Sequence, residues 1–298
     1  MNDTIAHYES FLAVAECGSI SGAAKRLYVT QPAISAEIAL LERSLKVRLF
    51  FRTNRGVHLT PEGQVLYDHV SKGFSFIRAG EEKLREFGGL RSGMLRIGAS
   101  DMTLRFFLLD YIADFRQRYP DVQMHVLSAS TPKTLEALRS GQIDFGVISG
   151  PIEESEDLEM VPVREIQDIF IASEEFEIAH QAVVEKRDLA EYPLIMLERA
   201  TSTRRYVSAW LGEGFPEPAI ELATSDMLME FAERGIGVCA ITEDFAREAI
   251  EAGRVVRLPM REEIPPRRFY VAYLKRLPVS AAARRMLDRL REVRLHDG

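Results

Sequence analysis

Residues 11–63 read FLAVAECGSISGAAKRLYVTQPAISAEIALLERSLKVRLFFRTNRGVHLTPEG, and they set the architecture of the N-terminal part of the chain. Apolar residues at helical spacing predict a first helix that ends at Gly18: Ile5, Tyr8, Leu12 and Ala15. Ser21 is the predicted cap of a short second helix over residues 22–27, and Tyr28 and Val29 follow as a turn. The pattern therefore predicts two helices and a tight turn that leads into a third helix.

The third helix has the features of a helix that reads DNA. Thr30 is its predicted cap, and Pro32 fits its first turn because the N–H groups there have no partner within the helix. We expect four apolar residues to be buried against the first two helices: Ile34, Ile38, Leu41 and Leu45. The opposite, N-terminal face would then present short polar side chains to the base edges of a major groove: Thr30, Gln31, Pro32 and Ser35.

Residues 49–59 predict two short strands around a turn at Asn54, Arg55 and Gly56, a wing that carries Arg52 and Arg55 toward phosphates or a minor groove. Between residues 20 and 60, seven basic residues stand against two acidic ones, a local net charge of +5. The whole chain has a net charge of −7, so the remainder carries −12. A basic module on an acidic body is typical of a small DNA-binding domain, although clusters of this size also occur on solvated helix faces.

Residues 60–87 predict one long helix, with Thr60 as its cap and Pro61 at its first position. A narrow apolar stripe follows steps of three, four or seven residues: Leu66, Val70, Phe74, Ile77 and Leu84. The glycines at 88, 89 and 93 indicate a hinge after it. The stripe predicts either pairing with the same helix of a second copy over residues 66–87, or packing on the chain's own winged domain.

The rest of the chain alternates between strand and helix patterns. Strands are predicted at 94–100, 122–129 and 143–149, with helices at 103–119 and 131–140 between them, which indicates a parallel sheet. After residue 151 the alternation resumes, with strands at 168–172, 194–197, 220–223, 237–241 and 269–274 and helices at 204–211, 226–234, 246–252 and 281–293. Two such α/β halves predict a two-lobed ligand-binding body with a cleft at the strand ends.

The composition and the residue spacing argue against several other classes of protein. No apolar run approaches the ~20 residues that cross a bilayer, and the N-terminus lacks the basic region of a signal peptide, so we expect a cytoplasmic protein without membrane contact. Six scattered histidines show no metal-binding spacing, and we expect no metal and no cofactor. The only two cysteines, Cys17 and Cys239, exclude a disulfide framework, and both lie in apolar patterns typical of core residues.

Two alternatives to a ligand-sensing DNA-binding protein remain open. One is an enzyme built on the α/β body, but Gly235 and Gly237 lack the third glycine of a dinucleotide fingerprint, and neither a P-loop nor a GxSxG elbow occurs. We therefore predict no catalytic residues. The other is a body that only assembles copies of the chain and binds no ligand.

Five short motifs follow one another in order between residues 23 and 63: Ala-Ala-x-x-Leu, Gln-Pro-Ala-x-Ser, Leu-Glu, Leu-Phe-x-Arg and Leu-Thr-x-x-Gly. In this order and spacing the chain resembles the LysR-type transcriptional regulators over essentially its whole length. One departure is Lys46, where the family usually has glycine, and it adds a candidate phosphate contact.

The resemblance implies a bacterial, sequence-specific DNA-binding regulator in three parts. Residues 1–59 would form an α-helical winged helix-turn-helix domain and residues 60–90 a linker helix that dimerises. Residues 91–298 would form an α/β effector domain like periplasmic binding proteins, with lobe I at about 91–160 and 267–298 and lobe II at about 161–266. The implied partners are double-stranded operator or promoter DNA, a small-molecule effector and further copies of the chain in a dimer or tetramer, with RNA polymerase as a further candidate.

Three strand-to-helix junctions are rich in hydroxyl groups, and in the resembling family such segments line the effector pocket. Arg204 and Arg205 add positive charge that favours an anionic effector, whereas Asp101 and Glu198 could hold an amine or a hydroxyl group of the same ligand. Serines and threonines at these positions could also serve only as helix caps. The predicted effector-binding residues are Ser100, Asp101, Thr103, Ser130, Thr131, Thr201, Ser202, Thr203 and Arg204.

Overall fold

The N-terminal helices pack around a small apolar core from which a two-stranded hairpin extends. The structure is a computed structural model that describes residues 2–53, 56–86, 93–152, 155–275 and 279–292. Its contacts divide the chain into two units near residue 81, with Arg139–Gln142 counted in the first unit. The elements of the first unit, the last of which continues past residue 81, are α1 (Asn2–Cys17), α2 (Ile20–Leu27), α3 (Gln31–Leu45), β1 (Phe50–Thr53), β2 (Gly56–Leu59) and α4 (Pro61–Glu86).

The core of the first unit confirms the predicted helix-turn-helix. Ala23 and Ala24 are buried, and their small side chains allow α2 to lie close to α1 and α3. Ile34, Ile38 and Leu41 of α3 are buried against Phe11 and its neighbours on α1. Strands β1 and β2 pair antiparallel, as the wing pattern predicts.

Four details of this unit differ from the prediction. Ser19, not Ser21, caps α2, because the helix begins at Ile20 and the Ser19 hydroxyl accepts a hydrogen bond from the Gly22 N–H at 3.0 Å. Leu45 is 38% exposed, since it is the last residue of α3 and lies beyond the other two helices. Ile5 is also exposed, and Cys17 is exposed because it ends α1 just before the turn at Gly18.

The second unit contains two five-stranded sheets, one in each lobe. Lobe I has the strand order β4-β3-β5-β12-β6, and lobe II the order β11-β7-β10-β8-β9. The lobe I elements are β3 (Gly93–Ala99), α5 (Asp101–Thr103), a π-helical turn (Leu104–Leu108), α6 (Leu109–Arg118), β4 (Val122–Ser128), α7 (Thr131–Arg139), β5 (Phe145–Ser149), β6 (Leu158–Ile166), β12 (Arg267–Leu274) and α11 (Ala281–Glu292). The lobe II elements are β7 (Asp168–Ala172), two 3-10 turns (Glu177–His180 and Lys186–Glu191), β8 (Leu194–Leu197), α8 (Ser202–Leu211), β9 (Ile220–Leu222), α9 (Ser225–Glu233), β10 (Val238–Thr242), α10 (Glu243–Glu251) and β11 (Val256–Arg257).

The two sheets are mixed rather than purely parallel. In lobe I, β3 pairs parallel with β4 and β5, as the alternating pattern predicts, whereas β12 enters antiparallel between β5 and β6. In lobe II, β8 pairs parallel with β9 and β10, and β7 pairs antiparallel with β10. Lobe I is therefore built from two separate stretches of chain that meet around β12.

Strand β6 was not predicted. It is an edge strand that contains Pro162 and has a mixed burial pattern, so it lacks the continuous apolar run of the buried strands. The predicted lobe boundary placed residues 161–166 in lobe II. Because β6 pairs with β12 over its whole length, these residues belong to lobe I instead. The two-residue strand β11 was also missed, being too short to leave a pattern.

Apolar clusters on the sheets hold each lobe together. In lobe I, Phe145 and Phe269 are buried beneath α6 and α11. In lobe II, apolar residues pack on both faces of the sheet, with Phe170 on one face and Ile171 on the other. Among the residues described, no helix combines the length and the apolar character needed to span a lipid bilayer.

Candidate functional site

The N-terminal turn of α3 presents its polar side chains on an open surface. The Thr30 hydroxyl accepts a hydrogen bond from the Ala33 N–H at 3.4 Å, so Thr30 caps the helix as predicted. Gln31 and Pro32 are exposed and Ser35 is half-buried. The apolar face of α3 is anchored in the core, which leaves this polar turn free to enter a groove.

Both α2 and α3 end at a residue with left-handed backbone geometry. Tyr28 has a φ of 56° and Lys46 a φ of 58°, positions at which glycine is the usual residue. The Lys46 side chain is exposed just beyond the last turn of α3, which agrees with its expected availability to a phosphate.

The hairpin is held in place at its two ends by residues of the Leu-Glu and Leu-Thr-x-x-Gly motifs. One carboxylate oxygen of Glu42 accepts hydrogen bonds from the Leu49 N–H at 2.8 Å and the Phe50 N–H at 3.4 Å. Gly63 lies so close to this point that a Cβ there would be 2.1 Å from the Leu49 carbonyl oxygen. The Leu-Glu and Leu-Thr-x-x-Gly motifs therefore fix where the wing begins and how it meets α4. Arg52 lies on β1, but its side chain, like Asn54 and Arg55, lies outside the described residues.

The apolar stripe of α4 divides into two parts. Its first part packs partly against the core of the winged domain, through Leu66, Val70 and Phe74. For these residues the second predicted alternative, packing on the chain's own winged domain, is therefore confirmed. Further along the helix, Phe76 and Ile77 are 49% and 52% exposed. The side chain of Leu84 lies outside the described residues.

A cleft in the second unit lies where four strand-to-helix junctions meet. Its cavity has a volume of about 220 Å³. The residues that line it come from both lobes and are mostly small and polar: Ser100, Asp101, Met102, Ser128, Ala129, Ser130, Thr131, Ser149, Leu197, Thr201, Ser202, Thr203, Ala223, Thr224 and Ser225. Seven of the nine predicted effector residues lie in this set, and the two others are Thr103 and Arg204.

Ser100, Thr201 and Thr224 cap the helices at these junctions, and the Thr201 hydroxyl donates its own proton to the Glu198 carbonyl oxygen at 2.9 Å. The Thr224 oxygen caps α9 by accepting from the Met227 N–H at 3.5 Å, whereas the Thr131 oxygen accepts from the Ser149 N–H at the end of β5, at 3.4 Å. Because a hydroxyl that accepts a hydrogen bond keeps its own proton, both can donate toward the cavity. The predicted alternative of capping and the predicted role in binding are therefore compatible.

The Ser100 hydroxyl accepts from the Thr103 N–H at 3.2 Å and also bonds the Thr103 hydroxyl at 2.8 Å. Thr103 is fully buried, so it orients Ser100 from behind and does not line the cavity. Asp101 accepts a hydrogen bond from Ser128 at the rim of the same cavity.

A buried cation lies directly behind Thr203. Arg267 is 4% exposed, and its Nη2 donates to the Thr203 hydroxyl at 2.7 Å. Its Nε and Nη2 also donate to the Asp168 carboxylate at 2.5 and 2.9 Å, and that carboxylate accepts from Thr242 at 2.7 Å. Since the Thr203 oxygen accepts from a guanidinium, its own proton is polarised and free to donate into the cleft.

Arg204 was predicted to face the effector, and the structure contradicts this. It follows Thr203 on α8 and therefore lies about 100° further around the helix, on the side away from the cleft. Its guanidinium bonds Glu221 at 2.5 Å and Glu217 at 3.1 Å. It lines a different cavity of about 430 Å³ in lobe II, so its charge is neutralised by carboxylates and not available to a ligand in the cleft.

Sequence reasoning also missed parts of the cavity. Thr224 and Ser225 form a fourth hydroxyl-bearing junction, for which the signal was present because Thr224 precedes a predicted helix just as Thr201 does. Ser149 ends β5 and carried no such signal, and Arg267 comes close to Asp168 only through the tertiary fold.

Features that would suggest other chemistry are sparse. No group of three or more His, Cys, Asp or Glu side chains suited to a metal ion occurs in the described part of the chain. Cys239 is buried as predicted, and this burial raises the pKa of its thiol to about 12, so it is protonated at neutral pH.

Comparison with known proteins matches two separate family models to the chain, one to its N-terminal part and one to the rest. The family model described as LysR substrate binding domain matches residues 88–294, and that described as bacterial regulatory helix-turn-helix protein, lysR family, matches residues 5–64. The chain is 29% identical to the probable RuBisCO transcriptional regulator of Trichormus variabilis in an alignment of 248 residues. This alignment covers 81% of this chain and 74% of that protein. It is 32% identical over 231 residues to the HTH-type transcriptional regulator YofA of Bacillus velezensis, covering 76% and 77% of the two chains. A full-length OxyR variant from Pseudomonas aeruginosa superposes with a TM-score of 0.76 over 96% of this chain and 94% of that one, and at 20% identity this likeness shows the fold alone.

Proposed function

Because the chain belongs to the LysR family of bacterial transcriptional regulators, with a DNA-binding and an effector-binding domain, we propose that its effector is a small anion bound in the cleft between lobes I and II. The observation that carries the proposal is the meeting of four helix N-termini at one cavity. The helical segments begin at Asp101, Thr131, Ser202 and Ser225. Helix N-termini offer free N–H groups and a partial positive charge, which favour an anion.

The chemistry of the lining supports an oxyanion or a carboxylate. Thr131, Thr203 and Thr224 have hydroxyl protons to donate, and Arg267 polarises the Thr203 hydroxyl by donating to its oxygen from behind the cavity wall. The cavity is smaller than the ~300–1,000 Å³ of sites for drug-sized ligands, so it suits a small metabolite. Asp101 can accept from a hydroxyl or an amine on the same ligand.

A thermal-shift screen of the full chain with sulfate, phosphate and small mono- and dicarboxylates tests the site. An anion at 100 times its Kd stabilises the folded protein by about 2.7 kcal/mol, which gives a measurable rise in Tm. The double variant Ser100→Ala with Thr203→Val should lose this rise. Ser208→Ala is the matched control, because Ser208 lies on the same helix as Thr203 but lines the other cavity. An equal rise in the double variant would place the ligand elsewhere, and stabilisation by cations alone would contradict an anionic effector.

The DNA-binding surface consists of the first turn of α3, the wing, and Lys46 just beyond the last turn of α3. Thr30, Gln31, Pro32 and Ser35 read or approach bases, whereas Lys46, Arg52 and Arg55 contact the backbone. Gln31→Ala should change the preference at particular base pairs, at a cost of about 1–3 kcal/mol for a good contact. Arg55→Ala should instead weaken binding to all sequences and flatten the salt dependence. An unchanged sequence preference in Gln31→Ala would remove that residue from the readout.

The chain forms a homodimer through α4, with assembly to a tetramer through the effector domains as the family resemblance implies. Phe76 and Ile77 are large apolar side chains left half-exposed on this helix, and Gly73 and Gly80 beside them have open space around them. A second copy of α4 can cover this face.

Sedimentation of the variant Ile77→Asp tests the dimer. The control is Gln64→Asp, which adds the same charge on another face of α4. The first variant should dissociate at concentrations where wild type and control remain associated. Retention of the dimer by Ile77→Asp would exclude this face as the interface.

A further inference from the structure

Tyr28 is the residue at which the chain turns from α2 into the recognition helix, and its conformation is unusual. It has φ and ψ of 56° and 38°, and its N–H caps α2 by donating to the carbonyl oxygens of Ala24 and Lys25. The side chain is 96% exposed, more than any other large apolar or aromatic side chain among the described residues.

Nothing in the folding of the chain favours tyrosine at this position. Left-handed backbone is unfavourable for every residue with a Cβ, and glycine or asparagine is the usual choice at the end of a helix. A ring that is 96% exposed buries almost no surface that could offset this strain. Strained residues persist at sites of function, so the side chain has a role outside the fold of the chain.

The position of Tyr28 indicates what it contacts. It lies two residues before the Thr30 cap, at the end of α3 that carries Gln31 into the major groove. The walls of that groove are phosphate backbones, and phosphate oxygens accept hydrogen bonds from tyrosine hydroxyls in protein–DNA complexes. Lys46, the other non-glycine residue with left-handed geometry in the described part of the chain, lies beyond the opposite end of α3 and has an exposed cationic side chain.

We propose that Tyr28 is a DNA-contact residue whose phenolic O–H donates a hydrogen bond to a backbone phosphate beside the groove that receives α3. This proposal rests on the DNA-binding function described above. Tyr28 and Lys46 then clamp the two ends of the recognition helix, one through a neutral donor and the other through a charge.

Fluorescence anisotropy with the full chain and a duplex selected from a random library by the wild-type protein tests the contact. Tyr28→Phe removes only the hydroxyl and should weaken binding about tenfold, the loss expected for a hydrogen bond to a charged group. Because no charge is lost, the slope of log K against log salt should stay the same. Lys46→Gly is the matched comparison, and its slope should fall by about 0.9, as for one phosphate contact.

Tyr28→Gly separates the contact from folding. It should weaken DNA binding at least as much as Tyr28→Phe, yet raise the urea midpoint of unfolding, because glycine relieves the left-handed strain. Opposite directions for binding and stability support the proposal. Wild-type affinity in Tyr28→Phe, or a loss of binding in Tyr28→Gly that follows a lower urea midpoint, would overturn it. A wild-type protein that selects no duplex would instead refute the assigned DNA-binding function itself.

Discussion

Replacing Asp168 by asparagine should destabilise the second unit, because it leaves a buried guanidinium without its counter-ion. The side chains of Asp168 and Arg267 are 0% and 2% exposed, and two hydrogen bonds join them. Asp168 begins β7 of lobe II and Arg267 begins β12 of lobe I, so the pair ties together the two lobes where the chain crosses between them.

The magnitude follows from opposing electrostatic effects. Two charges 2.9 Å apart attract each other by about 6 kcal/mol at an effective dielectric constant of about 20. Removing both ions from water costs several kcal/mol for each, so the pair as a whole contributes little to the net stability. Breaking it from one side is different, because the unpaired Arg267 keeps its desolvation cost. Asp168→Asn should therefore lower the free energy of unfolding by about 3–5 kcal/mol.

Urea unfolding followed by the fluorescence of Trp210 measures this effect, since the single tryptophan of the chain lies on α8 of lobe II. The double variant Asp168→Leu with Arg267→Met should recover most of the lost stability. Asp226→Asn is the control, because its ion pair with Arg105 is exposed and contributes about 0–1 kcal/mol. A loss below about 1 kcal/mol in Asp168→Asn, or a double variant as unstable as the single one, would refute the reasoning.

Three further predictions concern other parts of the chain. Gly63→Ala should destabilise the first unit by about 1–3 kcal/mol and weaken DNA binding, since its Cβ would meet the Leu49 carbonyl oxygen at 2.1 Å; an equal Tm in a thermal melt would contradict this contact. Glu42→Ala should cost about 1–3 kcal/mol in urea unfolding because it leaves the Leu49 N–H without its acceptor, whereas Glu42→Gln keeps an acceptor and should recover most of it. The folded pKa of Cys239, about 12, lies above the ordinary value of 9.0, so stability from the neutral thiol is present below about pH 9 and lost as the pH rises toward 12. Between pH 7 and pH 10 the wild type should thus lose about 1.4 kcal/mol more than Cys239→Ala in urea unfolding, and equal losses would contradict the shift.

The winged domain could be predicted closely because its signals are local. The Thr30 hydroxyl caps α3 by accepting a hydrogen bond from the Ala33 N–H three residues later. Pro32 lies in the first turn of the helix, where proline is tolerated. The errors fall at helix ends, where Ser19 competes with Ser21 as a cap and where Leu45 continues the apolar spacing beyond the bundle that could bury it. Periodicity predicts which face of a helix is apolar, but the partner helices decide how far along that face burial extends.

The cleft could be predicted only in part, because its hydroxyl-rich junctions are local and its electrostatics are not. Ser100 ends a predicted strand, Thr131 and Thr203 each follow one, and the carboxyl ends of neighbouring strands meet in space. Arg204 and Arg267 show the limit of this reasoning. Arg204 faces away from the cleft because it lies one residue after Thr203 on α8. Arg267 bonds Asp168, which lies 99 residues earlier in the sequence. Such long-range contacts leave no periodic signal.

The placement of β12 between β5 and β6 affects how the chain matures on the ribosome. Synthesis runs from the N-terminus, so the winged domain and lobe II are complete before β12 emerges from the exit tunnel. Until then β5 and β6 each lack the neighbour that saturates their backbone hydrogen bonds, and such open edges invite association with other chains. A polypeptide cut short before Arg267 would therefore still contain the whole DNA-binding domain but no intact sensor. Nonsense mutations shortly before the codon for Arg267 should then give dominant products that occupy operators without responding to any ligand.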